Sequence, residues 1–375
     1  MTEALDCWAE IDLGALELNA KRLGQLLSSS TKMMAVVKAN GYGHGDVQVA
    51  RAAIDGGAEW LGVARTSEGV RLRADGIDEP ILLLAEPPFA AISQAIEAEL
   101  TFGIYTREGA ERLSDEAVRL GKTAAAHVKI DTGMRRYGIQ PQEARSFVDS
   151  VRKLSGLQVT GLWTHLARSE DQSSSFTKQQ LETFEEVLSK LDAEGLTIHV
   201  CNSAGAILHP EAHFDMVRFG IALYGIPPVV EIGERISLDP VMAVKSRVGM
   251  VKSLPADTPL SYGGIYSTTH ETTVVTVPIG YADGLRRNLS NQGEVLIGGT
   301  RHRISGNVTM DHLLVDVGDT QITRGDEVVI LGRQGGEQIT ASEIASLLGT
   351  IPYEVVCGFG GRMPRVYLGG SGGSV

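Results

Sequence analysis

Eight short apolar runs, each followed by a polar or helix-patterned stretch, fill most of the first two-thirds of this 375-residue chain. The runs lie at 33–37, 60–64, 81–84, 101–105, 124–130, 157–164, 197–201 and near 215–219. Helical patterning lies between them at 46–55, 88–99, 107–120 and 177–194. The last of these carries Leu181, Phe184, Val187, Leu188 and Leu191, an apolar stripe at helical spacing. Thr106 and Thr177 read as helix N-caps and Gly195 as a helix stop. Eight strand-then-helix units in roughly 200 residues suit a closed barrel better than an open sheet. No Gly-x-Gly-x-x-Gly follows the first run, which weakens a dinucleotide-binding fold. The predicted fold is α/β, a (β/α)8 TIM-type barrel over 13–234.

The pattern changes after Pro227-Pro228. Short strands are expected at 243–251, 271–277, 294–297, 313–317 and 327–331, punctuated by Gly298-Gly299, Gly318-Asp319 and Gly335-Gly336. One helix is expected at 342–348. Residues 235–375 therefore read as a mostly β domain. The strand-like opening, 7–13, leaves 1–12 free to pair into that domain rather than the barrel. The glycine-serine tail 369–375 reads as a flexible end without function.

Composition bounds the partners. Hydrophobic residues make up 43% and charged residues 21%, ordinary for a globular protein. The net charge of −12 argues against nucleic-acid or acidic-membrane surfaces. No run of eighteen apolar residues would span a bilayer, and the acidic opening residues lack the pattern of a signal peptide. Cys7, Cys201 and Cys357 form neither a zinc pattern nor a disulfide framework, so a reducing cytoplasm is the simple expectation, with no metal.

In a barrel enzyme the chemistry sits where strands end. The first run ends at Lys38, and Tyr42 follows within Gly41-Tyr42-Gly43-His44-Gly45. A lysine at the mouth of a buried strand is desolvated, which favours its neutral, nucleophilic amine. Beside a glycine turn and a tyrosine able to meet a phosphate, it suggests a Schiff-base lysine with pyridoxal phosphate. Read alone, the motif suits a strand end that snorkels Lys38 into water, followed by a glycine turn. Lys129 and Arg136 follow the fifth run, His165 the sixth, Asn202 and Ser203 the seventh, and Arg218 with Gly220-Ile221 the eighth. Loops after the last two strands commonly cradle phosphate, which suits Ser203 and the N–H groups near Gly220 and Ile221. Ser203 could also cap the helix that starts there. Arg218 ends a buried strand and needs an acceptor, either a structural ion partner or a ring nitrogen. Arg136 could hold a substrate carboxylate through a bidentate contact, whereas Arg135 reads as surface charge. In the β domain, Tyr262 within Ser261-Tyr262-Gly263-Gly264 is the best candidate for a second base opposite Lys38.

These segments carry a family likeness. The chain resembles alanine racemases along essentially its whole length, through Val37-Lys38-Ala39-Asn40-Gly41-Tyr42-Gly43-His44-Gly45, Lys129-Ile130-Asp131-Thr132-Gly133-Met134 with Arg136, Asn202-Ser203-Ala204 and Val217-Arg218-Phe219-Gly220-Ile221. In the β domain the matching segments are Ser261-Tyr262-Gly263-Gly264, Gly280-Tyr281-Ala282-Asp283-Gly284, Met310-Asp311 and Pro352-Tyr353-Glu354. The resemblance implies that Lys38 binds pyridoxal 5'-phosphate covalently and is one catalytic base. It implies that Tyr262, from the second subunit of a head-to-tail homodimer, is the other. It assigns the phosphate to Tyr42, Ser203, Gly220, Ile221 and Tyr353, and the pyridine nitrogen to Arg218 with His165 in support. Arg136 would meet the substrate carboxylate with help from Met310, and Tyr281 would narrow the entrance with Tyr353. The lysine matching Lys129 is often carbamylated in relatives. The implied activity is interconversion of L- and D-alanine, supplying D-alanine for peptidoglycan.

Some positions depart from the family pattern. Leu166 stands where many relatives have phenylalanine, and Glu170-Asp171 replaces a commoner Asp-Glu order. Asn307, Thr309 and His312 stand where relatives often read Arg, Cys and Gln. These changes put substrate preference in question, with serine or another small amino acid as the alternative. Two other readings remain. One is a decarboxylase of the same architecture, although Cys357 does not match its cysteine–aspartate context. The other is a non-catalytic cofactor-binding barrel, although such proteins lack the β domain.

Overall fold

The computed structural model describes residues 2–370, so the last part of the expected flexible tail, 371–375, lies outside the described residues. The chain divides into two compact units: 16–41 with 46–239, and 1–15 with 42–45 and 240–375.

The first strand, β1 (Cys7–Asp12), belongs to the second unit. The barrel unit is closed by eight strands: β2 (Lys32–Val36), β3 (Trp60–Val63), β4 (Ile81–Leu83), β5 (Thr101–Ile104), β6 (Ala124–Lys129), β7 (Leu157–Trp163), β8 (Thr197–His199) and β9 (Met216–Phe219). All pair in parallel, and β9 returns to β2 with Arg218 opposite Met34. Strands buried on both faces read as continuous apolar runs rather than alternating ones. That is why 33–37 is buried throughout, and why the barrel is legible from its runs. Met34, Leu82 and Met216 pack together in its core.

The helices agree with the sequence in place more than in their ends. Thr106 caps Arg107–Arg119, its side chain accepting from Gly109 N at 3.0 Å. Thr177, by contrast, lies inside the helix Phe176–Ser189 rather than capping it. That helix ends at Ser189, short of Gly195. The segment expected as one helix at 88–99 is a short turn, Phe89–Ala91, followed by Ile92–Glu97.

The β unit holds β10 (Met242–Arg247), β11 (Met250–Leu254), β12 (Pro259–Leu260), β13 (Tyr266–Ser267), β14 (Thr272–Val277), β15 (Glu294–Ile297), β16 (Thr300–Arg303), β17 (Leu313–Gly318), β18 (Glu327–Gln334), β19 (Glu337–Ile339) and β20 (Arg365–Leu368). The main sheet runs β16-β15-β18-β10-β1-β20, with β19 on β18; β11-β14-β17 and β12-β13 form smaller sheets. β1 is antiparallel to β10 and parallel to β20. The single strand expected at 243–251 is two, because the chain changes sheets at Val248–Gly249 between β10 and β11. Beside the helix Ala341–Leu348 lies a second one, Pro352–Gly358, which carries Tyr353. Its first residue is proline, a start signal present in the sequence. Among the described residues no helix is long and apolar enough to cross a membrane.

Candidate active site

The segment after β2 is a left-handed turn. Ala39, Asn40, Gly41 and Tyr42 have φ of 55°, 55°, 59° and 51°. For residues with a Cβ this hand costs roughly 1–2 kcal/mol each, so the turn needs anchors. Glu68 supplies the main one: its carboxylate accepts from Ala39 N at 2.7 Å, and also from Ala64 N and Arg65 N. Gly41 N donates to Val37 O at 2.9 Å. Lys38 is therefore held at the mouth of β2 by backbone that cannot relax into an ordinary helix. The motif is glycine-rich, yet Ala39, Asn40 and Tyr42 share the strain, and Glu68 was invisible to motif reading.

The other end of the motif packs in the β unit. Arg365 donates through Nε and NH2 to Gly43 O at 3.1 and 2.9 Å. Gly43 has φ 86°, and a Cβ there would stand 2.5 Å from Val356 O, so only glycine fits. Tyr42 and Tyr353 set their rings 6.2 Å apart. Burial, with Tyr353 and Cys357 nearby, pushes the Tyr42 hydroxyl well above its ordinary range, keeping it a protonated donor.

In the barrel unit the remaining candidates sit at strand ends. Arg218 is almost fully buried, and its hydrogen bonds go to histidine nitrogens and backbone carbonyls. It donates to His199 Nδ1 at 2.8 Å, Thr164 O at 2.9 Å, Val200 O at 2.8 Å and His165 Nδ1 at 3.2 Å. Burial lowers its pKa only to about 10, so it stays charged. Because guanidinium only donates, both histidines must accept at Nδ1. His199 then carries its proton on Nε2 and donates from it to His127 Nδ1 at 2.8 Å. His127 in turn holds a proton on Nε2, which is buried without a partner. Donor counting thus fixes the tautomers along the line Arg218–His199–His127. Burial, then the charge of Arg218, holds His165 and His199 well below the usual histidine value and His127 at about 3. Trp163 stacks on His199 at 5.5 Å and lies 4.3 Å from Lys129 Nζ and 5.0 Å from the Arg218 guanidinium. His127, His199 and Trp163 lie inside apolar runs, where polar residues on buried strands are the signal that could have found them.

Lys129 is buried at the end of β6. Burial first, then the charges of Arg136 and Arg218, lower its pKa to about 7, with Asp131 opposing. Arg136 itself is exposed. Gln180 joins the loops after β6 and β7: its amide donates to Thr132 Oγ1 at 3.1 Å and His165 O at 3.0 Å. Ser203 does not cap its helix. Asn202 does, accepting from Gly205 N at 2.9 Å. That leaves Ser203 Oγ to accept from Gly220 N at 2.9 Å and Ala222 N at 3.4 Å. The end of β9 is thereby tied to the end of β8, a small donor cradle.

In the β unit Tyr262, Tyr281 and Met310 are all exposed. Tyr281 N donates to Thr309 O and Ala282 N to Met310 O, each at 3.0 Å. Arg362 clamps the same two loops through Asp283 at 3.2 Å and Asp311 at 2.7 Å. Sequence reading quoted both acids within their motifs but not the arginine that joins them.

Two family models match this chain: the alanine racemase N-terminal domain over residues 11–228 and the alanine racemase C-terminal domain over 241–367. The chain belongs to the alanine racemase family. An alanine racemase of Symbiobacterium thermophilum is 48% identical over 370 residues, 96% of this chain and 97% of that protein. A solved alanine racemase of Clostridium difficile superposes with a TM-score of 0.93 at 39% identity, covering 97% of this chain and 96% of that one. Another, from Bartonella henselae, has a TM-score of 0.87 at 30% identity, covering 97% and 99%, and was solved with covalently bound pyridoxal phosphate. Membership makes the chain an isomerase of the racemase type on a TIM-type barrel with a β domain.

Proposed function

We propose that the chain racemises alanine with pyridoxal 5'-phosphate, using two bases on opposite faces of the α-carbon. The observation that carries this reading is Arg218, a buried and charged guanidinium hydrogen-bonded to the neutral acceptors His199, His165, Thr164 O and Val200 O. Such a donor suits a ring nitrogen that is itself an acceptor. The cationic rim formed by Lys38, Lys129, Arg136 and Arg218, with Asp131 the one acid acting on Lys129, suits a ligand bearing phosphate and carboxylate. The residues therefore fit the cofactor.

Lys38 would hold the cofactor covalently through Nζ, while Ser203, the N–H groups at Gly220 and Ile221, Tyr42 and Tyr353 would hold its phosphate. When bound, the cofactor supplies an electron sink that acidifies the substrate α-hydrogen. Lys38 and Tyr262 then take the proton from one face and return one to the other. Arg136, with the Met310 backbone, would orient the substrate carboxylate. Tyr281 and Tyr353 would narrow the entrance. We further propose that Tyr262 comes from a second copy in a head-to-tail homodimer. Its exposed side chain lines a groove of about 770 Å³ with Lys252, Thr309 and His312, which supports that role. D-alanine for peptidoglycan, made in the cytoplasm, is the proposed use. Serine is the second substrate to consider, since Asn307, Thr309 and His312 depart from the family pattern. Both family models and the relatives named above are racemases, which leaves the decarboxylase reading without support.

The test is chirality inversion measured on L- and D-alanine, serine and larger amino acids, with an absorbance scan near ~420 nm for the lysine-bound cofactor. Inversion of alanine in both directions is expected; carbon dioxide release without inversion would sink the reading.

Lys129 offers a second measurement. With a pKa of about 7, a large share of its amine is neutral at physiological pH and open to carbon dioxide. Carbamylation would turn a cation beside Arg136 into an anion. Activity is expected to fall several-fold (roughly, for one lost charged contact) in carbon-dioxide-free buffer and return with bicarbonate. A Lys129→Ala variant should ignore both treatments. Indifference of the native enzyme would remove the carbamate.

A further inference from the structure

Tyr262 stands on backbone that resists its own conformation. Ser261 has φ 60° and ψ −174°, a region essentially reserved for glycine. A serine keeps such dihedrals only where its surroundings over-determine them. Here one neighbour does so from two sides. Ser261 Oγ donates to Asn307 O at 2.7 Å, and Asn307 Nδ2 donates to Tyr262 O at 2.6 Å. Asn307 therefore grips both ends of the 261–262 peptide. Gly306 lets the two stretches close up, since a Cβ there would lie 2.9 Å from Leu260 O and from Ser261 Cβ. The far end of the turn is tied to the same stretch: Gly306 N donates to Asn291 Oδ1 at 2.6 Å, and Asn291 Nδ2 donates to Ile265 O at 2.9 Å. The base of the loop is buried, with Asn307 at 8% exposure, whereas Tyr262 at its tip is 75% exposed. An exposed tyrosine gains nothing for folding from so fixed a stem. A tyrosine that must present its hydroxyl at one position does.

We infer that Asn307 is a positioning residue, whose side-chain amide holds the Ser261–Tyr262 backbone in its strained form and so aims the Tyr262 hydroxyl for proton transfer. This rests on the reading of Tyr262 as the second base.

Asn307→Asp isolates the effect. It keeps the shape, leaves the backbone carbonyl that Ser261 uses, and replaces the donor facing Tyr262 O by an acceptor. In the holoenzyme it should lower kcat by about 10- to 100-fold, the scale set by a misplaced catalytic group. Each enantiomer gives up its α-hydrogen to a different base. The α-deuterium isotope effect should therefore rise for the enantiomer served by Tyr262 and not for the other, with cofactor absorbance retained. An unchanged kcat, or a fall that leaves both isotope effects as in the native enzyme, overturns the proposal. Glycine adopts the Ser261 conformation freely. The double variant Ser261→Gly/Asn307→Asp should accordingly recover activity lost by Asn307→Asp, and no recovery counts against the proposal even if the single variant folds poorly. Tyr262→Phe separates the two layers. If that variant racemises at the native rate, the two-base reading fails; if it is inactive while Asn307→Asp is normal, only the positioning role fails.

Discussion

A hybrid dimer of one Lys38→Ala chain and one Tyr262→Phe chain, isolated through two different tags, is expected to show about half the native activity. Each variant alone should lose ~10²–10⁴-fold, the usual worth of a positioned acid–base group. The half arises because a site built from two chains places both lesions together in one site and leaves the other intact. A site built within one chain would put one lesion in each site, and the hybrid would be as inactive as its parents. The experiment reads the origin of Tyr262 independently of any change in stability, since both lesions are present in every hybrid.

Acid should unfold the barrel unit steeply, and two buried rings set the slope. Burial, reinforced by Arg218, keeps His199 far below the ordinary histidine value and His127 at about 3. Below ~6.5 the unfolded chain takes up a proton on each ring that the folded chain refuses. Stability is thus complete above pH ~6.5 and is lost as pH falls, by about 1.4 kcal/mol per ring per pH unit. At pH ~5 the two rings together cost ~4 kcal/mol, against a usual total of ~5–15 kcal/mol. His165 acts in the same direction from the rim. Denaturant titrations at pH 8, 6.5 and 5 check this. His127→Phe should be less stable at pH 8, since it leaves His199 Nε2 unpaired, yet should show a shallower pH slope. An unaltered slope would mean that His127 is protonated in the folded chain.

How far the sequence foretold this arrangement depends on what kind of interaction each part uses. The barrel strands were legible because burial on both faces writes an unbroken apolar run, as in 33–37. Lys38, Ser203 and Arg218 were legible because each ends such a run. What stayed hidden depends on partners far apart in the chain. Glu68 holds the turn after Lys38 from the first turn of the helix Thr66–Ala74, Gln180 reaches back to Thr132, and Arg362 joins Asp283 to Asp311. No local period encodes such pairings. Whether Ser203 caps 203–208 stayed open for the same reason: only the position of Gly220 shows that Ser203 is occupied elsewhere, while Asn202 caps. The strand at 243–251 divides at Gly249 because sheet exchange, like any tertiary choice, leaves no mark in alternation.

The nine residues from Val37 to Gly45 fall in both units, with 37–41 counted in the barrel and 42–45 in the β unit. Within the β unit, Tyr42 and Gly43 lie against Tyr353 and Val356. A chain cut at residue 239 would keep the whole motif in one piece and still lose the residues that its second half packs on.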